Sequence, residues 1–492
     1  MLLAVYCFFQ CHRLLLDFWN DELYTMIHFV FVSPMTTVSD YHVPNNHIFF
    51  NLTAKAFTFV TGSDSVYALM NAPYKLRVLP FFYSILSLFM VWKTGRRFFN
   101  ENIALLAVGC MITCVPFLNY SLQIRGYGLS ILFVVLIIHS YYAFIETQKP
   151  IHLFLIGVFS LLITYTIPSN LLFLLSFGLL NLVQHLASLV RKDKGTRFLK
   201  AFYQNPYFKM NLAMGVGIGV CILFYLSIFR QVFFNEYVVA DVFKDTANGL
   251  QNILQSSIYF ISNRYFLLVL MGIGLILFLV KRCRLPFVFQ SLALLFLYLF
   301  PFIISLIRKD NPPDRIYTNT IPLLSLAMAI LANTAIDTLI KSKPVRFALI
   351  IGVLLTNILI CSHEQHVIDR QLKQDLVSGE RSQNLYYNYF LSHYSPLKIV
   401  KKLKGLGPAL VMINDAEPHD MPEYFREFKI PFLEVASLDS IVQSQPDEFY
   451  IITRYPDITK KEYAKKQYNY SIETLDSALS YHNLMRLRKN RQ

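Results

Sequence analysis

Long apolar runs alternate with short polar connections from the first residues to about residue 361, and then the pattern stops. A helix that crosses ~30 Å of hydrocarbon needs ~20 mostly apolar residues, and a charge at its centre costs ~2.5–3.5 kcal/mol, so charged clusters mark the ends of spans. Eleven spans are expected, near 2–16, 77–92, 101–119, 128–145, 151–167, 171–190, 211–229, 265–280, 286–307, 320–340 and 346–361. The first is short and has no basic flank, so the start of the chain is expected to lie inside a longer natural span. No small-residue cleavage site follows it, which argues against a signal peptide.

Lys and Arg collect in short loops on the cytoplasmic side. Lys93, Arg96 and Arg97, Lys149, the run Arg191, Lys192, Lys194, Arg197, Lys200 and Lys209, then Lys281, Arg282 and Arg284, and finally Lys341, Lys343 and Arg346 fall on one side of the eleven spans, which is taken as the cytoplasm. The opposite, extracytoplasmic side receives 17–76, 120–127, 168–170, 230–264, 308–319 and everything after 362. The expected fold class is therefore mainly α. A polytopic helical bundle over 1–361 carries outer-face interfacial helices in 17–76, and a small soluble extracytoplasmic α/β domain covers 362–492. In that tail, apolar runs at 409–413, 432–436, 449–453 and 484–487 alternate with helix-like stretches, one opened by Ser395 and Pro396.

Composition narrows the partners. Of 492 residues 55% are hydrophobic and only 15% charged, more apolar surface than a water-soluble core can hide. The net charge of +14 would suggest nucleic acid in a soluble protein, but its division by membrane side accounts for much of it, and no nucleic-acid partner is expected. The seven cysteines lie in or beside apolar stretches and imply no disulfide framework. The i, i+4 pairs Cys7/Cys11 and Cys110/Cys114 have no His or carboxylate nearby and read as packing.

The candidate chemistry sits in the outer segments. Asp21 and Glu22 directly follow the first span; on a helix they would point about 100° apart, one free to face a cavity and one to make structural contacts. His47 opens an apolar stretch too short and polar to span, and Lys75 and Arg77 stand at the start of the second span. Arg125 sits where the chain re-enters the membrane. A guanidinium there is costly unless an anion such as a phosphodiester meets it. Arg315, in a proline-stiffened loop, runs against the usual charge bias and is a second phosphate candidate. Ordinary roles compete for each: helix ends, interface snorkelling and solvated loops.

Taken together, Phe18 to Tyr24, Asn46 to Phe50, Arg77 to Pro80, Gly95 to Phe99, Arg125-Gly126-Tyr127-Gly128-Leu129, and Arg315-Ile316-Tyr317 followed by Pro322 resemble motifs of the GT-C superfamily. These are polyprenyl-phosphate-dependent glycosyltransferases that include protein O-mannosyltransferases and the lipid A aminoarabinose transferase. Ile48 and Phe49 stand where that family usually has two prolines after the His. The resemblance implies an inverting transfer of a sugar from a polyprenyl-phosphate-sugar donor to a lipid, glycan or protein acceptor at the extracytoplasmic face. Asp21 would be the general base and Glu22 would orient it or contact the sugar. His47, Lys75, Arg77, Arg125, Tyr127, Arg315 and Tyr317 would line the donor site. No cofactor is required by this scheme; a divalent metal on the acidic pair and His47 is conceivable but not favoured. The rival expectation is a lipid-linked saccharide transporter without transferase activity. Transporters, however, place polar groups at mid-span, and here they crowd the ends.

Overall fold

The computed structural model describes residues 1–190, 202–235, 241–242, 246–261, 265–280, 286–378, 396–406, 410–413, 421–434, 442–443, 446–453, 460, 469–477 and 483–490. The chain forms two compact units. One joins 1–9, 32–56 and 78–362, and the other joins 10–31, 57–77 and 363–492.

The first unit is helical. In chain order the elements used below are α1 (Leu2–Cys11), α2 (Asn20–Thr25, which belongs to the second unit), α3 (Ile48–Val60), α4 (Tyr74–Phe98), α5 (Glu101–Ile112), α6 (Tyr127–Thr147), α7 (Pro150–Thr166), α8 (Leu171–Val190), α9 (Pro206–Tyr225), α10 (Tyr265–Val280), α11 (Val288–Arg308), α12 (Ile321–Leu339) and α13 (Lys343–Ser378). Every expected span has its helix. Seven helices among the described residues are long and apolar enough to cross a membrane, and the other four expected spans are shorter apolar helices, at 2–15, 101–112, 150–166 and 267–280. This is the architecture of an integral membrane protein.

Local sequence sets the helix ends. Asn100 caps α5, its Oδ1 accepting from the Ile103 N–H at 2.8 Å; Pro150 and Pro206 occupy first turns, where the missing N–H is harmless. Packing then sorts the helices. Every residue of α12 from Ile321 to Ile336 is buried, so this helix forms the centre. In contrast α8, α9 and α13 leave Leu182, Leu223 and Leu359 exposed, as lipid-facing helices do. α7 and α9 approach so closely that a Cβ on Gly217 would lie 2.1 Å from the Gly157 carbonyl oxygen. At one end of the bundle Arg97 pairs with Glu146 at 2.9 Å and Arg96 with Glu101 at 2.8 Å. Arg191, Lys192, Lys194, Arg197, Lys200, Lys281, Arg282, Cys283 and Arg284 lie outside the described residues.

The second unit contains α14 (Pro396–Leu406), α15 (Met421–Glu427) and a five-stranded sheet built from β1 (Val411–Ile413), β2 (Leu433–Glu434), β3 (Glu448–Thr453), β4 (Tyr470–Ser477) and β5 (Asn483–Lys489). The order is β2-β1-β3-β5-β4, with β2, β1 and β3 parallel and β5 antiparallel to both its neighbours. The four apolar runs of the tail are β1, β2, β3 and β5. β4 has only a weak alternation, with Tyr470 and Ile472 joining Met412, Phe449, Ile451, Met485 and Leu487 in the core. Ser395, the expected cap of α14, lies outside the described residues.

Candidate functional site

In the first unit two separate segments bring His47, Arg125 and Tyr127 together. His47 directly precedes α3, its carbonyl accepting from the Asn51 N–H at 2.9 Å. Its loop is fixed by Asn46, whose amide donates to the Thr37 and Asp40 carbonyls at 2.8 and 2.6 Å and accepts from Asn51 at 2.9 Å. Arg125 lies in the tight turn before α6. Its side chain is 2% exposed, with the guanidinium carbon 5.6 Å from the centre of the Tyr127 ring. The imidazole of His47 meets Tyr127 edge to face at 5.2 Å. Only glycine fits between them: a Cβ on Gly126 would lie 2.5 Å from Thr166 Cγ2 and 3.2 Å from His47 Cβ.

The state of His47 follows from its neighbours. The Gly126 N–H donates to Nδ1 at 2.8 Å, so Nδ1 presents its lone pair and the neutral ring carries its proton on Nε2. Burial, followed by the charges of Arg125 and Arg315, holds the imidazole well below its ordinary pKa, so the ring is neutral. Nε2 stands 3.4 Å from Arg125 Nη2. With the proton on Nε2, both atoms are donors and neither satisfies the other. Two donors side by side, one on a buried cation, match a group that only accepts, such as a phosphate oxygen. At ~4 Å and an effective dielectric near 20, the cation alone would attract a unit negative charge by about 4 kcal/mol before desolvation. Tyr41, buried within reach of the Arg125 charge, is held above its ordinary pKa by burial and keeps a neutral hydroxyl.

Residues that gave no signal in the sequence brace this cluster. Asn170, in the turn between α7 and α8, donates to Ser130 Oγ on α6 at 2.9 Å and accepts from the Asn319 amide at 2.7 Å. One buried amide thus ties the helix after Arg125 to the loop that carries Arg315. Tyr317 of the same loop is buried, stacks on Phe302 at 4.0 Å and donates to Ser305 Oγ at 2.7 Å. Arg315 is half-buried, and its charge reaches His47.

The second unit holds the other expected residues. Asp21 and Glu22 lie in the first turn of α2 and diverge as their helical positions require. Glu22 is fully buried and its Oε2 accepts from Arg77 Nη2 at 2.6 Å, whereas Asp21 is half-buried. Arg77 also donates to the Leu16 carbonyl and, at 3.0 Å, to that of Asp17, while its guanidinium lies 5.1 Å from the centre of the Phe18 ring. Lys75 is exposed. The tail domain grips the same loop. The Tyr424 hydroxyl accepts from the Phe18 N–H at 2.8 Å and donates to the Phe18 carbonyl at 3.1 Å. Asp17 Oδ2 accepts from the Leu397 N–H at 2.7 Å, capping α14 from 380 residues away. Burial outweighs that bond and the charges of Arg77 and Lys401, and raises the Asp17 carboxyl to about 6.

Among the described residues no three His, Cys, Asp or Glu side chains gather closely enough to hold a metal ion. No sequence family and no curated protein matches the chain. Solved structures do. The apo form of ArnT from Cupriavidus metallidurans superposes with a TM-score of 0.50 at 11% identity, covering 98% of this chain and 96% of that one. ArnT bound to undecaprenyl phosphate gives 0.48 at 10% identity over 99% and 97%. The archaeal oligosaccharyltransferase AglB from Archaeoglobus fulgidus, in complex with an inhibitory peptide and a dolichol-phosphate, gives 0.43 at 11% over 95% and 71%. The likeness to apo ArnT is one of fold, and it is the fold that the resemblance to the GT-C superfamily implies.

Proposed function

We propose that the chain is a membrane glycosyltransferase that moves a sugar from a polyprenyl-phosphate donor to an acceptor at the extracytoplasmic face. The observation that carries this reading is the donor pair of His47 Nε2 and Arg125 Nη2, held 3.4 Å apart beside a second cation, Arg315. A fold shared with ArnT over nearly the whole chain supports it.

In the proposed reaction an acceptor oxygen attacks the anomeric carbon as the bond to the carrier phosphate breaks, and the electron pair leaves with the phosphate. Arg125, Arg315 and the neutral His47 stabilise the charge that grows there, the electrostatic share of catalysis. Asp21 takes the proton of an acceptor hydroxyl, or positions an acceptor that is already anionic. Tyr127 and Tyr317 wall the headgroup site, and Lys75 adds positive charge at the surface. Arg77 and Glu22, paired with each other, hold the loop that carries Asp21. The scheme requires no metal, since guanidinium and imidazole donors meet the charge on the leaving phosphate.

The test supplies purified protein with radiolabelled polyprenyl-phosphate sugars and a membrane extract of acceptors. Wild type transfers label. Arg125→Ala loses both donor cleavage and transfer, and Asp21→Asn loses transfer to hydroxyl acceptors. Donor binding without cleavage by the wild type would favour the transporter instead.

A further inference from the structure

A cleft lies at the opposite end of α6 from Arg125, with a volume of about 210 Å³, among α6, α8, the first turn of α9 and the start of α11. We propose that it binds one glycerophospholipid of the surrounding membrane through the ester region of that lipid.

Glu146, exposed and paired with Arg97, marks the end of α6 at the membrane surface. The deepest α6 residue of the cleft, Ile138, precedes Glu146 by eight positions, about 12 Å along a helix. The cleft therefore covers the layer where headgroups give way to acyl chains. Phe289 and Gln290 on its rim are exposed, which gives a lipid lateral access.

Among the described residues no Lys, Arg, Asp or Glu lines the cleft, so it suits the uncharged part of a lipid. Each of its polar side chains carries at least one N–H or O–H. The Tyr141 hydroxyl donates to Gln184 Oε1 at 2.8 Å, which leaves the Gln184 amide N–H groups for a ligand. The Tyr142 and Tyr207 hydroxyls and the Gln290 amide also line the space, and none of these three makes a hydrogen bond to another described residue. The Tyr142 ring is held in place by Phe98 and Phe99 at 5.4 Å and Tyr141 at 5.1 Å, so its hydroxyl is preorganised. These N–H and O–H groups have no acceptor among the described residues, and ester carbonyls, which only accept, are the lipid groups found at this depth. A hydrocarbon carrier chain would need none of these donors.

The experiment titrates delipidated full-length protein in detergent with dioleoyl phosphatidylethanolamine, with its diether analogue, which lacks the carbonyls, and with undecaprenyl phosphate. Adducts are counted by native mass spectrometry. A single ester-lipid adduct is expected to bind roughly tenfold more tightly than the diether lipid. The double variant Tyr142→Phe/Gln290→Leu is expected to lose that preference and bind both equally. Equal binding of ester and ether lipids by the wild type overturns the proposal without recourse to any variant. So does an unchanged preference in the double variant, or displacement of the phospholipid by undecaprenyl phosphate at equal affinity.

Discussion

Arg77 and Arg125 are both buried, both cationic and both at the mouth of an apolar helix, yet their surroundings differ in kind. Arg77, in the second unit, meets a carboxylate, two carbonyl oxygens and a phenyl ring of a single loop. Arg125, in the first unit, stands beside the donor face of a neutral imidazole and under the charge field of Arg315. One guanidinium is bound to a carboxylate of its own segment; the other lies against an imidazole and a phenol ring. A buried arginine therefore says little about function until the polarity of its neighbours is known.

Breaking the Arg77–Glu22 pair should have the largest effect. Arg77→Ala leaves Glu22 as an uncompensated buried charge, and unfolding of the second unit should become easier by about 3–5 kcal/mol. The double variant Arg77→Met/Glu22→Leu should recover most of that loss in chemical denaturation. A single variant that melts like the wild type would show that Arg77 does not hold the loop. Arg125→Ala should act on the chemistry, lowering transfer on the order of 10²–10³-fold. Next comes Asp17. With its carboxyl raised from 3.8 to about 6, the folded state binds more protons than the unfolded state between these values. Stability therefore falls as pH rises through that window, by roughly 2–3 kcal/mol in all. Asp17→Asn keeps an acceptor for Leu397 and should remove that slope, with a gain in stability at neutral pH. His47 has the opposite sign. Its pKa is depressed, so stability falls as pH drops below the ordinary imidazole value near 6.5. The smallest effect is expected from Tyr424→Phe, which strips both hydrogen bonds from the buried Phe18 backbone at about 1–3 kcal/mol. Protection of the Phe18 amide in hydrogen exchange reads it directly.

The membrane architecture was legible because apolar runs of span length bounded by charge have few other uses. The shorter α5, α7 and α10 were legible for the same reason. In the tail, β1, β3 and β5 are buried apolar runs, whereas β4 joins the core through Tyr470 and Ile472, continues through Glu473 and Asp476, and gave no clear period. Arg125, His47 and Tyr127 could be singled out as candidates because polar residues at the ends of apolar runs stand out. Their mutual geometry could not, since it depends on a backbone N–H and on a glycine that leaves room for a ring. Asn170 is invisible in one dimension: a single amide in a turn has no pattern. The joining of 10–31 and 57–77 with 363–492 was equally hidden, because it rests on contacts such as Phe18 with Tyr424, separated by 406 positions.

The bond from Asp17 to Leu397 has a consequence for the order of assembly. At roughly 5–20 residues per second, the ribosome reaches the partner of Asp17 some 20–80 seconds after the aspartate itself has been made. Through that interval the acidic loop has left the ribosome without the tyrosine and helix terminus that later clasp it. The segment carrying Asp21 and Glu22 is thus made well before it can settle, because its clasp is translated 380 residues later.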